Sequence, residues 1–234
     1  MEAEAEIHEE AEEMGLEKPK QTGKARVTRP PHNYVAIVKH SDVPIQTFPL
    51  DKLCDQLYDG VVLQKGKKKY WVDRSLNKNC FLVFARELAI TWGQNSEYWE
   101  WKTVKESGNV DIEVAELIRA CWLDISGKFR TVALSPMTLY EVSLVALMTE
   151  SSRGWGVPVK IIITLPDGSQ LEFEESLRNK RRKEWIHVLM GEFMTSSKNI
   201  GEIRFCISEH STTNWKRGLV VKGVAFRPKT EAGR

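Results

Sequence analysis

Between Ile90 and Lys102 the chain gathers four aromatic rings, Trp92, Tyr98, Trp99 and Trp101, around a polar, turn-forming middle of Gly93, Gln94, Asn95 and Ser96. Indole and phenol rings offer a wide apolar face with a polar edge, which suits partners that are part apolar and part hydrogen-bonding. A sugar ring is such a partner, because its C–H face packs on an indole while carboxylates accept hydrogen bonds from its hydroxyls. Rings of this size are also common core material. In an extended chain Leu88, Ile90 and Trp92 share one face, and Trp99 and Trp101 share another. An outward Trp92 therefore requires the strand to end at Gly93.

Patterns for catalysis are missing from the sequence. The histidines are His8, His32, His40, His187 and His210, and none belongs to an HExxH motif, a GxSxG elbow or a zinc-binding Cys/His spacing. His187 alternates with Trp185 and Leu189 and reads as a satisfied strand histidine. No glycine-rich phosphate loop follows a strand and opens a helix. The expectation is a binding protein without enzyme activity, metal or cofactor. The densest basic run, Lys180, Arg181, Arg182 and Lys183, reads either as a solvated loop or as a nuclear-import or phosphate-contact run. The lysines between 65 and 69 stand under the same alternatives.

The 34 basic and 32 acidic residues leave a formal charge of +2 on 234 residues, so no whole-protein field draws in nucleic acid or anionic lipid. No apolar run approaches the length of about 18 to 20 residues that spans a bilayer, so no membrane insertion is expected. The start of the chain is too acidic for a secretory signal. Cys54, Cys80, Cys121 and Cys206 lie far apart without a CxxC pair, which fits reduced thiols and a cytoplasmic protein. An exposed Cys54 would cross-link chains on oxidation.

The elements that must position the rings follow from patterning. Residues 1–32, an acidic block followed by a basic one, carry too little apolar area to offset the entropy of ordering and read as a disordered tail. Residues 33–75 form an extension: a strand or buried turn at 34–38, a helix at 49–58 and a hairpin from 61–63 to 70–72. This extension is expected to pack on the main domain and to be removable without loss of it. Residues 76–229 show short apolar runs at 80–85, 87–92, 121–125, 139–148, 159–165, 170–174, 185–189, 203–208 and 219–226. Turn signals separate them, Pro166-Asp167-Gly168-Ser169 being the strongest. That density predicts an all-β sandwich. The segment 114–125 fits helical spacing as well as a strand, and a strand from Ala120 is preferred. Residues 230–234 read as a flexible end.

Six ordered motifs carry a resemblance: ARELAITWG (85–93), YWEWK (98–102), VAEL (114–117), CWLDISGK (121–128), LMGEF (189–193) and WKRGLVVKG (215–223), followed by Arg227 and Pro228. Over roughly 150 residues the chain resembles the plant phloem protein 2 family, phloem lectins with a tobacco-agglutinin-like domain. The resemblance implies a jelly-roll-like antiparallel β-sandwich that binds N-acetylglucosamine oligomers, chitin fragments or N-glycan cores. It places the sugar at Trp92 and Trp99, with Glu209 and Glu202 as the acidic partners. It also implies glycoprotein and phloem-protein partners, a homodimer among the assemblies, and a defence or transport role in the phloem. The rival readings are an RNA-binding module using the basic runs with exposed aromatics, and a structural adaptor with a degenerate sugar site.

Overall fold

The protein, seen in a computed structural model, is described over residues 29–106, 109–210 and 215–229. The tail expected over 1–32 lies outside the described residues as far as 28, as does the end expected to be flexible at 230–234. Residues 29–32 correct the tail's boundary: Pro31 is buried, and Asn79 Nδ2 donates to the His32 carbonyl at 2.8 Å.

Two helices come first, α1 (Tyr34–Val38) and α2 (Leu50–Asp59). The strands are β1 (Val61–Leu63), β2 (Lys68–Asp73), β3 (Lys78–Phe84), β4 (Ala89–Ile90), β5 (Trp99–Glu106), β6 (Val110–Leu117) and β7 (Leu123–Arg130). They continue with β8 (Leu139–Arg153), β9 (Val159–Thr164), β10 (Gln170–Glu175), β11 (Trp185–Met194), β12 (Glu202–Glu209) and β13 (Arg217–Pro228). Eight form one antiparallel sheet, running β1-β2-β3-β13-β6-β5, with β8 and then β11 on the other edge of β13. The other five form the sheet β10-β9-β12-β7-β4.

Strand patterning explains the two layers. On β12 Ile203, Phe205 and Ile207 are buried while Arg204 and Cys206 face outward, the alternation of a sheet with one face in the core. β13 is buried on both faces through most of its length, as suits a strand in the middle of the larger sheet. Phe129 of β7 stacks on Phe226 of β13 with ring centroids 4.5 Å apart, joining the sheets. β13 also changes partner: Val220 and Val221 pair with β6, and Gly223 to Phe226 pair with β3. At the changeover a Cβ on Gly223 would collide with the Val83 carbonyl, so only glycine lets β3 approach.

The hairpin of the 33–75 extension is hydrogen-bonded into the larger sheet through β2 and β3. Leu53, Leu57, Val61, Leu63, Tyr70 and Val72 belong to the same buried core as the sandwich strands. Six such side chains at about 1.5–3 kcal/mol each match the whole net stability of a typical domain, about 5–15 kcal/mol. The shared core and the β2–β3 pairing weigh against removing the extension without loss of the sandwich. Cys54 lies on the buried face of α2, and burial, then Asp55 and Asp51, push its thiol pKa up, which corrects the cross-linking expectation.

Three further expectations change. The segment 34–38 is a short helix, not a strand. The run 87–92 divides into a 3-10 turn at Ala85–Glu87 and the two-residue β4. The ambiguous 114–125 segment is two strands with an irregular link, and β7 begins at Leu123 rather than Ala120. The Asp167 turn forms as expected, with Gly168 at φ 86° and Asp167 Oδ1 accepting from Ser169. Among the described residues no helix is long and apolar enough to cross a membrane.

Candidate functional site

At one end of the sandwich three connections meet: β4 to β5, β6 to β7, and β12 to β13. Backbone hydrogen bonds tie them together. Thr91 donates to the Asp124 carbonyl at 3.0 Å, Ile118 to Tyr98 at 2.8 Å, and Ala120 and Lys216 exchange bonds of 3.0 and 2.7 Å. Residues 211–214, which join His210 to Trp215, lie outside the described residues.

The first connection explains the aromatic stretch. Trp99 Nε1 donates to the Thr91 carbonyl at 3.1 Å and Trp101 Nε1 to the Gly93 carbonyl at 2.7 Å. These two bonds grip the chain on either side of Trp92, which adopts a left-handed backbone at φ 57°. A non-glycine residue rarely holds that conformation unless its surroundings impose it. Here the result is an indole turned out of the core, 44% exposed, with Tyr98 against it at 4.9 Å between centroids. Trp101 is itself braced, since the Arg86 guanidinium lies 3.6 Å from its ring centroid and is held by both oxygens of Glu113.

The other two connections supply more exposed rings. Trp122 is 47% exposed and packs on His210 with centroids 4.2 Å apart, and His210 Nε2 lies 3.4 Å from Asp124 Oδ2. Trp215 is 57% exposed, with the Arg119 guanidinium 5.8 Å from its ring centroid. Three indoles thus face solvent at one end, interleaved with a carboxylate, an imidazole and a guanidinium. Flat apolar faces beside donors and acceptors can take a partner that is hydroxylated on its rim and apolar on its face.

Of the residues the family resemblance marked for the sugar, Trp92 alone presents its side chain here. Trp99 is 3% exposed and packs in the core, so the expected direct contact is corrected to a positioning role. Glu209, also 3% exposed, is paired with Lys216 in a buried ion pair, and Lys216 Nζ donates further to the Cys121 carbonyl at 2.7 Å. The pair underlies the platform by linking the end of β12 to the start of β13. Glu202 starts β12 and Glu209 ends it, about 24 Å apart along the strand, and Glu202 is engaged by Lys128 at 3.3 Å and Arg204 at 3.0 Å. It is not brought to the platform.

The basic run is held by its neighbours. Lys180 pairs with Glu175 at 2.7 Å, Arg181 with Glu184 at 3.3 Å, Lys183 with Glu150 at 2.9 Å, and Arg182 donates to the Glu150 and Ser152 carbonyls. Among the described residues no group of three or more His, Cys, Asp or Glu side chains is arranged to hold a metal ion.

Sequence reasoning missed Trp122, Trp215, Arg119, His210 and Asp124 as site residues. One signal was present: Trp122 and Trp215 each open or nearly open a quoted motif. The strand expected from Ala120 masked the other, that Trp122 stands outside a strand, where a large ring has no sheet face to hide in.

A family model described as phloem protein 2 matches residues 78–228. The phloem protein 2-like A1 protein of Arabidopsis thaliana is 43% identical over 209 residues, which are 88% of this chain and 84% of that protein. A protein named lectin from Luffa acutangula is 42% identical over 200 residues, 85% of this chain and 94% of its own. Among solved structures, a xylan-binding module, CBM15, aligns at 10% identity with a TM-score of 0.33, over 62% of this chain and 98% of that one. That last likeness is too loose to carry an argument.

Proposed function

The chain belongs to the phloem protein 2 family, and on that premise we propose that it is a carbohydrate-binding lectin. It takes N-acetylglucosamine oligomers, such as chitin fragments or N-glycan cores, on the platform of Trp92, Trp122 and Trp215. The observation that carries the reading is the exposure of three indoles at one end of the sandwich, Trp92 against Tyr98, Trp122 beside His210 and Asp124, and Trp215 beside Arg119. The C–H face of a pyranose packs on an indole, and Asp124 accepts a hydrogen bond from a hydroxyl or an acetamide N–H. Each contact is modest because the sugar must shed bound water. Oligomers and linked sites therefore bind better than single rings.

The name of the Luffa relative supports the sugar class. The four free thiols support a reducing, cytoplasmic setting. A role in phloem defence or transport, by binding rather than turnover, belongs to the same proposal. Calorimetric titration with chitotriose, beside glucose and a short single-stranded RNA at two salt concentrations, tests it. Saturable chitotriose heat, insensitive to salt and lost in Trp122→Ala, is the expected result. Salt-sensitive RNA binding without chitotriose heat would sink the lectin reading.

A further inference from the structure

The outer face of the eight-stranded sheet carries a second hydrophobic patch, in which Leu82, Phe84, Val145 and Ala225 pack with Ile112. Over part of it lies a cleft of about 280 Å³, bordered by α2, β2, β11 and β13. Trp71 on β2 and Trp185 on β11 line it, and both rings are partly exposed. Each ring carries cations: Arg227 at 5.5 Å and Lys69 at 5.9 Å from Trp71, and Lys222 at 5.3 Å from Trp185. The nearly buried Glu106 carboxylate joins Lys69 and Lys222. His187 lines the same cleft with Nδ1 against Ser143 Oγ at 3.0 Å, and burial, then Arg227 and Lys222, hold its pKa below the ordinary value. The ring is uncharged at neutral pH. None of these side chains belongs to the indole platform.

We propose that this cleft is a second carbohydrate site, built for an acidic pyranose such as the uronate unit of an oligosaccharide. The indoles take the C–H face of a sugar. Lys69, Glu106 and Lys222 set donors and an acceptor side by side, the arrangement that a hydroxyl, itself donor and acceptor, completes. Arg227 forms no ion pair among the described residues, and its planar fork of donors matches a carboxylate. Single-stranded nucleic acid also uses stacking and cations. One feature disfavours it here: at about 280 Å³ the cleft falls just below the usual range of ligand clefts, about 300 to 1,000 Å³. One ring fits that space better than a strand.

The site stands on different residues from the platform and does not rest on it. A single chain would then hold two sugars and could bridge glycans as a monomer. Nitrogen-edited NMR of the full chain tests this, because its eight tryptophan Nε1–H signals report each indole separately. Trigalacturonate is expected to shift the Trp71 and Trp185 signals and chitotriose to leave them in place. Trp185→Ala and Arg227→Gln should each weaken trigalacturonate roughly tenfold without moving chitotriose affinity. The proposal is overturned by trigalacturonate shifts confined to the platform indoles. It is equally overturned by a cleft that answers to oligouridylate instead, or by unmoved Trp71 and Trp185 signals at about 10 mM ligand. Chitotriose is read on other indoles in the same samples, so a failed cleft and a failed platform give different spectra.

Discussion

At the scale of single residues, the tryptophans divide by what their nitrogens do. Trp99 and Trp101 spend theirs on backbone carbonyls, while Trp92, Trp122 and Trp215 stand outside the core. Trp122→Ala should change folding stability by less than about 0.5 kcal/mol while chitotriose affinity falls roughly tenfold. Trp99→Ala should instead cost about 3–5 kcal/mol of stability, and urea melts beside calorimetry separate the two. The buried Glu209–Lys216 pair gives a sharper case. Lys216→Met removes the buried cation beside Glu209 and should cost about 3–5 kcal/mol, most of which returns when Glu209→Leu is added. A double variant no more stable than the single would show that the pair is not the unit. The burial of Glu209 was legible in the chain: Ile203, Phe205, Ile207 and Glu209 alternate with polar residues, so strand parity alone turns Glu209 inward. Family resemblance outweighed that parity in the reading of the sequence.

At the scale of elements, β5 matters less as a strand than as the brace of the turn before it. Trp101→Phe keeps an aromatic ring under Arg86 but removes the donor to Gly93, a hydrogen bond worth about 1 kcal/mol net. Amide exchange over 91–98 should quicken and chitotriose affinity drop, with little change in the global melt. Unchanged exchange there would mean that Trp99 holds the turn by itself. The patterning located most strands because β9, β12 and β13 are apolar runs bounded by turn residues. It missed the strand Val110–Leu117, where Val114, Leu117, Ile118 and Cys121 satisfy helical spacing by coincidence across two elements. It could not place Trp122 and His210 together either, since their contact depends on the pairing of β7 with β12.

At the scale of the whole molecule, burial of acidic groups sets the alkaline limit. Cys80 is pushed up to about 12 from 9.0, chiefly by burial, and the phenols of Tyr70 and Tyr140 are raised as well. Above about pH 9 the unfolded chain gives up its Cys80 proton while the folded chain keeps it, so stability falls from there towards pH 12. In reductant, the urea midpoint should be insensitive to Cys80 below pH 9 and decline above it. A midpoint flat to pH 11 would count against that burial. Removal of residues 33–75 should leave no soluble sandwich, because it strips β3 of its neighbour and opens the shared core. The order of the sheets has one more consequence, which concerns synthesis. The ribosome delivers this chain from its N-terminal end, so β3, β6 and β8 are all made before β13, the strand that each of them pairs with. Until it emerges they stand with open edges, the state most exposed to wrong pairing. Trp215 and Lys216 lie just ahead of β13, so the platform of exposed indoles is completed by the same late arrival.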